Sequence, residues 1–468
     1  MLPVRMAPHH HAVLVLRPED AVSDDREEPP SAPGSGTLSS RTIEPPRDRP
    51  GHESLTGAPR RIRIMDYSDL AIIAAFAFLY SIIASRLGKT RFNGALVYVI
   101  AGFLCGGQAF GWIDVQIGGE GLKILAELTL ALVLFTDSAN TNLATLRRIE
   151  TIPIRLLFIG LPLTLVFGFA AGWLFFDELG LFEIALLATM LAPTDAALGK
   201  AVVTNSAVPE SVRESLNVES GLNDGICVPV LLFFLALAVG DAESGHAAGL
   251  MAQLTLQAIG LGVLVGGVAG LVGGRLIRHC STRGWVAGSW IQIPVIALAL
   301  TCFATAQWLE GSGFIACFVA GMIFGTTEKG NKGRFLEAAE GVGDSMALVT
   351  WFMFGAVAVG ITWQYLDWRV FAYALTSLTV IRIVPVFLAT LGLKLRWDTR
   401  LFMGWFGPRG LASIVFVVLV QDELHPGSEV LATTVTWTIL LSVMLHGLSA
   451  NALSKAYGAR IAASGGGV

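Results

Sequence analysis

The sequence predicts an all-α polytopic membrane protein with about thirteen transmembrane helices, and three observations lead to this prediction. Hydrophobic residues make up 53% of the 468 residues and charged residues only 15%, against about 25% charged residues in an average soluble domain. The charges fall in short clusters between apolar runs of about 20 residues, the length of helix that crosses a bilayer core. Lys and Arg concentrate at alternate connections between these runs. These features argue against a secreted disulfide scaffold, a disordered chain and a soluble enzyme.

Charge and cysteine usage exclude further classes of function. The formal net charge is −4, so binding to nucleic acid has no electrostatic support. None of the five cysteines forms a C-x-x-C pair, and most lie inside apolar runs, where cysteine acts as a small hydrophobic residue. We therefore expect no cofactor, no disulfide and no nucleic-acid partner; the expected partner is the lipid bilayer.

The two ends of the chain differ from the apolar region between them. Residues 1–64 are rich in Pro, Ser, Gly and charged residues, and such segments cannot bury enough apolar surface to offset chain entropy. We predict a disordered N-terminal tail there. Met65 directly precedes the first long apolar run, so one hypothesis is that the natural chain starts at this residue. Residues 455–468 are predicted to be a short cytoplasmic tail, with no regulatory domain in the chain.

The predicted membrane transporter domain covers residues 65–454. Its thirteen candidate spans lie at 67–87, 94–110, 121–138, 153–176, 181–203, 215–239, 250–277, 287–308, 312–326, 342–361, 368–393, 400–420 and 430–452.

Positive charges orient these spans. One set of alternate connections holds 19 Lys and Arg residues, whereas the other set holds only Lys123 and Arg369 and is otherwise acidic. Cytoplasmic loops carry the excess of positive charge. The C-terminus is therefore predicted to lie in the cytoplasm and the start of the first span outside the cell membrane, although Arg60, Arg61 and Arg63 mildly oppose this orientation.

Ionisable side chains inside the spans are candidates for function. A charge at mid-membrane costs at least about 2.5–3.5 kcal/mol on insertion scales, so it is rarely present without a role. The candidates are Asp137, Asp195, Glu219, Asp224, Arg382 and Arg409.

Span 5 contains an interruption at LAPTDAALG. Pro193 lacks an amide hydrogen and clashes with the preceding turn, so it breaks a helix at mid-membrane. The exposed backbone is tolerated only around a cavity or an ion site. The hydroxyl of Thr194, the carboxylate of Asp195 and the freed carbonyls are hard oxygen ligands that suit an alkali cation. The alternative is a proline kink in which Thr194 and Asp195 only satisfy freed backbone groups.

Span 6 contains the run VESGLNDG. Ser220 and Asp224 are four residues apart and share one helix face, while Glu219 and Asn223 share an adjoining face. We expect a desolvated carboxylate at Asp224, near Asp195, for which a proton and a cation compete near neutral pH. The alternative is a structural hydrogen-bonded pair of Asp224 with Ser220.

Span 11 contains a lone arginine, Arg382, which needs an anion in the membrane. We predict a structural ion pair with Glu219, because a permanent salt bridge would disable Asp224 as a proton carrier. An arginine stays charged, so Glu219 would stay ionised, and Asp224 would be the working carboxylate.

Two further charged residues, Arg409 and Asp137, each have more than one possible position and role. Arg409 lies among Gly407, Pro408 and Gly410, which predict an interruption of span 12. Arg409 either lies at the cytoplasmic margin, or balances helix ends, or belongs to a plain loop. Asp137 near the end of span 3 either lines the cytoplasmic approach to the site or is an ordinary acidic residue at a helix end.

The two interrupted spans predict an inverted repeat. Spans 5 and 12 are seven spans apart, so they occupy corresponding positions if span 7 (250–277) links two six-helix repeats, at about 67–239 and 287–452. An odd linker span gives the repeats opposite orientations. Paired interruptions of this kind are typical of inverted-repeat transporters with a site near the bilayer midplane.

Four motifs, in this order and spacing, resemble a known family. They are PTDAALGKAV at 193–202, VESGLNDG at 218–225, the arginine of VIRIVPVF at 380–387 and GWFGPRGLAS at 404–413. Together they resemble the monovalent cation:proton antiporters of the sodium/proton exchanger type, specifically the NhaP-like group, over about residues 67–452. The resemblance implies a dimerisation domain, a six-helix core in which spans 5 and 12 cross as unwound helices, and a homodimer.

The resemblance also implies roles for residues that match the motifs. Asp224 is the carboxylate that binds cation or proton. Thr194 and Asp195 belong to the ligand set of the unwound segment, and Ser220 is a further ligand. Asn223, also assigned to the cation- and proton-binding set, stands where electrogenic relatives have a second Asp, which implies electroneutral exchange. Glu219 and Arg382 match the family's stabilising ion pair. Asp137 aligns with the family's acidic residue on span 3, which implies an accessory role.

These observations predict a secondary antiporter that exchanges Na+, K+ or Li+ for H+ by alternating access at a midplane carboxylate. One alternative is a sodium-coupled symporter of a small solute, which would need more polar side chains around the ion site. Another is an intramembrane aspartyl protease, a class known for Y-D and G-x-G-D motifs; the sequence contains no Y-D, although GVGD occurs at 341–344. A channel would need no alternating carboxylate.

Overall fold

The computed structural model describes residues 67–87, 93–113, 120–140, 151–195, 198, 200–203, 205–243, 247–327, 332–424 and 429–463. The predicted tail at 1–64 and the hypothetical start at Met65 lie outside these ranges. Within them, all regular structure is helical, and the one β pairing is an isolated bridge between Gly106 and Ile113. The predicted all-α fold class is confirmed.

The helices follow the predicted spans. In chain order they are α1 Tyr67–Leu87, α2 Gly94–Cys105, α3 Glu120–Asn140, α4 Thr151–Phe175, α5 Leu181–Met190, α6 Lys200–Val203, α7 Glu210–Glu243, α8 Ala247–Thr282, α9 Ile293–Trp308, α10 Gly313–Thr327, α11 Lys332–Met353, α12 Trp368–Leu378, α13 Val380–Ala389, α14 Trp397–Trp405, α15 Leu411–Glu423 and α16 Glu429–Ala463. A 3-10 turn at Gly288–Gln292 precedes α9, and α11 continues through a π-helical turn at Phe354–Val359.

Length and composition show which helices are able to cross a bilayer. In the described part of the chain, eight helical segments are long and apolar enough, from Tyr67–Ala84 to Glu429–Ala463. Four shorter apolar helices add to them, within α2, α5, α10 and α15. A helix of about 20 residues spans the hydrocarbon core, whereas shorter ones fit beside an interruption. The polytopic membrane architecture is thus confirmed, and the count of thirteen crossings stays a prediction.

The chain departs from regular helix at two places that matter below. The first interruption, residues 191–199, separates α5 from α6, and the second interruption, residues 406–410, separates α14 from α15. Both contain proline, which lacks an amide hydrogen for the helical ladder. Of the first interruption, residues 191–195 and 198 are described.

Two predicted boundaries differ from the structure. Span 11 is divided at Thr379, whose backbone (φ −117°, ψ −86°) leaves the helical region between α12 and α13. The last helix does not end at 452 but continues to Ala463. Tyr457 and Ile461 are buried in an apolar cluster, and the backbone at Gly458 approaches the carbonyl of Ala207, so packing prolongs the helix into the predicted tail.

Close backbone contacts at glycines join α10 to both α3 and α8. A methyl group added at Gly321 or Gly325 of α10 would overlap carbonyl groups of α3. Likewise, Gly266 of α8 lies against the backbone of Ala316 in α10. Small residues let membrane helices approach closely and gain packing energy, because lipid provides no hydrophobic force between helices. These three helices form a tightly packed group beside the two interruptions.

This contact predicts different effects for two neighbouring glycines of α8. A Cβ at Gly266 would overlap the Ala316 carbonyl, whereas a Cβ at Gly267 would meet open space. Gly266→Ala should therefore destabilise the protein by about 1–3 kcal/mol through overpacking. Gly267→Ala, with the same gain in helix propensity, should not. Thermal unfolding in detergent, followed by size-exclusion fluorescence, measures the difference; equal unfolding temperatures would contradict this packing.

Candidate functional site

The two interruptions meet at one point in the fold. The backbone N–H of Asp195 donates to the carbonyl of Pro408 at 2.8 Å. In return, the backbone N–H of Leu411 donates to Oδ2 of Asp195 at 2.9 Å. The interruptions are more than 200 residues apart in sequence, so their contact forms the core of the candidate site.

A glycine makes this approach possible. A Cβ at Gly410 would overlap the carboxylate of Asp195, so no larger residue fits between the two segments without moving one of them. The first amide of α15 then reaches the carboxylate directly. A negative charge at a helix N-terminus is stabilised by unsatisfied amides and by the helix dipole. Asp195 Oδ1 also accepts from the N–H of Leu198 at 3.2 Å, so the same carboxylate closes a turn within the first interruption.

Arg409 places a positive charge near the C-terminal end of α5. Its Nη1 donates to the carbonyls of Ala192 and Pro193 at 2.8 and 3.1 Å, just beyond the C-terminus of α5. A cation is favourable there because the last carbonyls of a helix lack partners. Its side chain is fully buried in the protein. Of the three alternatives, the balancing of a helix end fits the structure.

Helix α7 holds the first interruption through Thr194. Ser220 Oγ donates to the carbonyl of Thr194 at 2.6 Å. The side-chain amide of Asn223 donates from Nδ2 to Thr194 Oγ1 at 2.8 Å and accepts from the Thr194 N–H at 3.3 Å. Both groups of the Asn223 amide are therefore engaged by Thr194. Ser220 and Asn223, which we predicted as ion ligands, first of all hold the unwound backbone in position.

Asp224 follows directly on α7 and differs from its neighbours. Its side chain is only 8% exposed, and its Oδ1 has no hydrogen-bond partner among the described residues. The charges of Asp195 and Asp137 are close enough to act on it. A buried carboxylate oxygen without a partner is costly. The arrangement therefore favours a bound proton or cation at this carboxylate.

A bidentate ion pair lies one turn before Asp224. Arg382 of α13 donates from Nη1 and Nη2 to the two carboxylate oxygens of Glu219 at 2.5 and 2.7 Å. Both side chains are buried, with 3% and 2% exposure. A Cβ at Gly407 would overlap the Arg382 guanidinium, so this pair also packs against the second interruption. The predicted partners are thus in contact, and they connect α7, α13 and the crossing.

A small cavity opens beside the crossing. Its volume is about 20 Å³, and its wall includes Thr194, Asp195, Ser220 and Pro408. A cavity of about 10–15 Å³ is enough for one water molecule. Carbonyl, hydroxyl and carboxylate oxygens around a space of this size are suitable ligands for a single alkali cation.

Asp137 belongs to a row of carboxylates that runs from the acids of α11 towards Asp195 and Asp224. It is part of α3, and the charges of Glu340 and Asp344 on α11 act on it, as does that of Asp195. Asn140 Nδ2 donates to Glu340 Oε1 at 2.5 Å, which ties the ends of α3 and α11 together. The carboxylates of Asp195, Asp224 and the acids of α11 are thus near enough for their charges to interact with that of Asp137.

One residue that supports the crossing was not predicted from the sequence. Ser413 is fully buried on α15, and its Oγ donates to the carbonyl of Met190 at the end of α5 at 2.7 Å. A serine in the first turn after an interruption was the available signal. Its partner is far away in sequence and follows only from the fold.

The buried ion pair predicts non-additive stability effects. Glu219→Leu or Arg382→Met alone leaves an uncompensated buried charge, which costs about 3–5 kcal/mol, while replacing both residues by apolar ones is often close to neutral. The double variant should therefore be more stable than either single variant. The control is Arg369→Met, since Arg369 pairs with Asp177 at 3.6 Å in an exposed position and such pairs contribute at most about 1 kcal/mol. Thermal unfolding of the four variants provides the measurement, and a double variant no more stable than the singles would contradict the pairing.

Comparison with known proteins agrees with this geometry. The family model described as "Sodium/hydrogen exchanger, transmembrane" matches residues 72–456. The K(+)/H(+) antiporter NhaP2 of Shewanella sp. (strain MR-4) is 24% identical over 381 residues, covering 81% of this chain and 64% of that protein. An Na(+)/H(+) antiporter of Schizosaccharomyces pombe is 22% identical over 325 residues, covering 61% of this chain and 68% of that protein. The chain thus spans slightly less than two thirds of the length of the first of these relatives.

A solved structure shows the same fold. The sodium proton antiporter MjNhaP1 from Methanocaldococcus jannaschii, determined at pH 8, superposes with a TM-score of 0.66 at 18% sequence identity, over 82% of this chain and 97% of that one. At this identity the likeness concerns the fold alone. Together with the family model, which matches most of the chain, it leads to one conclusion: the chain belongs to the transmembrane sodium/hydrogen exchanger family.

Proposed function

We propose that this protein is a secondary antiporter that exchanges a monovalent cation, Na+, K+ or Li+, for H+ across the cell membrane. One observation carries the proposal: beside the crossing of two interrupted helices, the buried Asp224 has a carboxylate oxygen with no hydrogen-bond partner in the described part of the chain. The relatives named above are K(+)/H(+) and Na(+)/H(+) antiporters, which supports this function over the alternatives.

Asp224 is the shared binding group in this mechanism. Its carboxylate binds either a proton or a cation, and both neutralise its charge. A neutral group crosses the low-dielectric interior at far lower cost than a bare carboxylate. The ion-free, deprotonated state is therefore trapped on either side, and this couples the two fluxes one to one.

The remaining ligands come from the first interruption and from α7. Thr194, Asp195 and Ser220 line the small cavity at the crossing and provide hard oxygen atoms. Asp195 accepts two backbone N–H groups, and these hold its carboxylate at the cavity. Asn223 takes part through Thr194, which it orients with two hydrogen bonds.

Two buried arginines have supporting roles. Arg382 engages both carboxylate oxygens of Glu219, so that Asp224 is the carboxylate left for transport. Arg409 compensates the end of α5 and does not serve as a cation ligand, because a guanidinium has no acceptor atoms. We assign both residues to the structure of the crossing.

The access path from the cytoplasm follows the row of acids. Asp137, Glu340 and Asp344 lie next to connections rich in Lys and Arg, which we assign to the cytoplasmic side by the positive-inside rule. Negative charge along a path raises the local cation concentration. On this orientation the C-terminus is cytoplasmic and the first span starts outside. The six-helix core, with the crossing, moves against a dimer interface, so that each side of the membrane reaches Asp224 in turn.

Each alternative lacks a supporting observation. A symporter needs a second, solute-sized polar pocket, whereas the cavity at the crossing has room for about one small ion. An aspartyl protease needs two carboxylates that share a proton and a water, whereas Asp195 accepts two backbone N–H groups at the crossing. A channel does not need an unpartnered carboxylate that alternates between two ligands.

Replacement of Asp224 tests the central assignment. Asp224→Asn removes the titratable charge with almost no change in shape, so cation-dependent proton flux in proteoliposomes should fall to the level of protein-free vesicles. Asp177→Asn makes the same chemical change at a side chain that is 82% exposed and should keep the parent's flux. Retained flux in Asp224→Asn would refute the role of this carboxylate.

The residue before Asp224 leads to a prediction about charge movement. With Asn223 instead of a second acid, one carboxylate exchanges one cation for one proton, and no net charge crosses the membrane. The exchange rate with Na+, K+ and Li+ should therefore be the same with and without an imposed membrane potential. A rate that changes with the potential would overturn electroneutral exchange while leaving antiport itself intact.

A further inference from the structure

Two polar residues of α16 hold the second interruption, and the proposed ion site does not use them. Ser442 and His446 are one helical turn apart, so their side chains share a face of α16. Both are almost fully buried, at 0% and 1% exposure. A buried hydroxyl and imidazole need hydrogen-bond partners, and their contacts join them to each other, to Trp405 and to Arg409.

The atoms in contact define the direction of each hydrogen bond. Nε2 of His446 lies 2.9 Å from the carbonyl oxygen of Trp405; this oxygen only accepts, so Nε2 carries a hydrogen. The backbone N–H of Arg409 donates to Oγ of Ser442 at 2.7 Å. Oγ of Ser442 lies 3.1 Å from Nδ1 of His446, so the hydroxyl donates to the bare Nδ1 of a neutral ring.

The other protonation states fit less well. Nδ1 also lies 3.0 Å from the carbonyl of Ser442, so a hydrogen on Nδ1 would have an acceptor. In that tautomer, however, the lone pair of Nε2 would face the lone pairs of the Trp405 carbonyl. A doubly protonated ring would add a positive charge near Arg409 and Arg382, whose charges already act on His446. The neutral ring with hydrogen on Nε2 donates to the Trp405 carbonyl and accepts from Ser442 Oγ, although its bare Nδ1 then faces the Ser442 carbonyl at 3.0 Å.

His446 and Ser442 therefore bind the two ends of one short turn, residues 405–409. Trp405 provides the last carbonyl of α14, and Arg409 provides an amide four residues later. Between them lies Pro408, whose carbonyl accepts from the Asp195 N–H, and two residues after Arg409 lies Leu411, whose amide donates to the Asp195 carboxylate. The position of the turn thus determines where the Asp195 carboxylate lies.

We propose that His446 is a positioning residue for transport: as a neutral imidazole it holds Trp405 directly and Arg409 through Ser442, and so sets the distance between the second interruption and Asp195. This inference rests on the proposed antiport function and adds a residue outside the ion site to it. Without these hydrogen bonds the turn shifts, which moves Asp195 away from the cavity and weakens cation binding.

Four variants separate this role from simple packing. His446→Leu removes both hydrogen bonds but keeps an apolar side chain of moderate size. His446→Gln keeps an N–H at the position of Nε2, able to donate to Trp405. Ser442→Ala leaves the Arg409 amide without its acceptor. Thr438→Val is the matched control, because Thr438 is buried on the same helix and, among the described residues, its hydroxyl bonds only the carbonyl of Thr434, within α16, at 2.6 Å.

The measurement is proton flux in proteoliposomes over a range of Na+ and K+ concentrations, with parent and Asp224→Asn protein alongside. His446→Leu and Ser442→Ala should raise the half-saturating cation concentration by about tenfold, the effect of a lost buried hydrogen bond. His446→Gln and Thr438→Val should stay within about twofold of the parent. Size-exclusion profiles of all variants verify that the protein is folded.

Different failures have different meanings. Unchanged half-saturation in His446→Leu, or equal impairment in His446→Gln and His446→Leu, would overturn the positioning role while parent flux upholds antiport. Impairment in Thr438→Val equal to that in Ser442→Ala would also overturn it, because helix packing alone would explain the effect. Parent vesicles without cation-dependent flux, equal to Asp224→Asn, would overturn the proposed function and this inference with it.

Discussion

Two charges of opposite sign, one half-buried and one fully buried, are exchanged between the two interrupted helices and hold the centre of this protein together. Asp195 comes from the first interruption and binds the leading amide of α15 in the second half of the chain. Arg409 comes from the second interruption and binds the carbonyls that follow α5 in the first half. A helix broken at mid-membrane leaves amides and carbonyls without partners, at a cost of several kcal/mol each in lipid. Neither interruption is therefore stable alone, because each supplies the charge that the other requires.

This exchange of charges explains the division of roles along α7. Within residues 219–224, Glu219 pairs with Arg382, and Ser220 and Asn223 hold Thr194. These groups are engaged at the crossing, whereas Asp224 keeps a carboxylate oxygen without a hydrogen-bond partner among the described residues. Nitrogen atoms of Arg382 and Arg409 also lack partners there, but a guanidinium has no acceptor atom for a cation. The proposed ion chemistry thus falls to one carboxylate in a rigid polar surrounding.

Helices outside the crossing are held by another kind of contact. Between α3, α8 and α10 the closest approaches are glycine against backbone carbonyl, and they need no buried charge. The two kinds of contact differ in how much relative movement of the helices they tolerate. Hydrogen bonds and ion pairs at the crossing have strict geometry, while Gly225 of α7 meets α10 through the flat ring of Phe318. A polar core of fixed geometry beside an apolar contact is compatible with a core that moves as one unit.

The sequence by itself determined the helical membrane architecture, the two interruptions and the set of buried charges, because each depends on local chemistry. Apolar length decides whether a helix spans a bilayer, proline at 193 and 408 breaks a helix wherever it is placed, and an arginine such as Arg382 requires an acid. Helical periodicity also put Ser220 and Asn223 on adjoining faces of α7. Only the tertiary structure decided which groups those faces meet: that Asn223 holds Thr194, that Arg409 is buried against α5, and that Ser413 and His446 support the crossing. Periodicity specifies the face of a helix on which a side chain lies, but a hydrogen bond depends on the distance and direction between atoms more than 200 residues apart in some cases, and these exist only once the chain has folded.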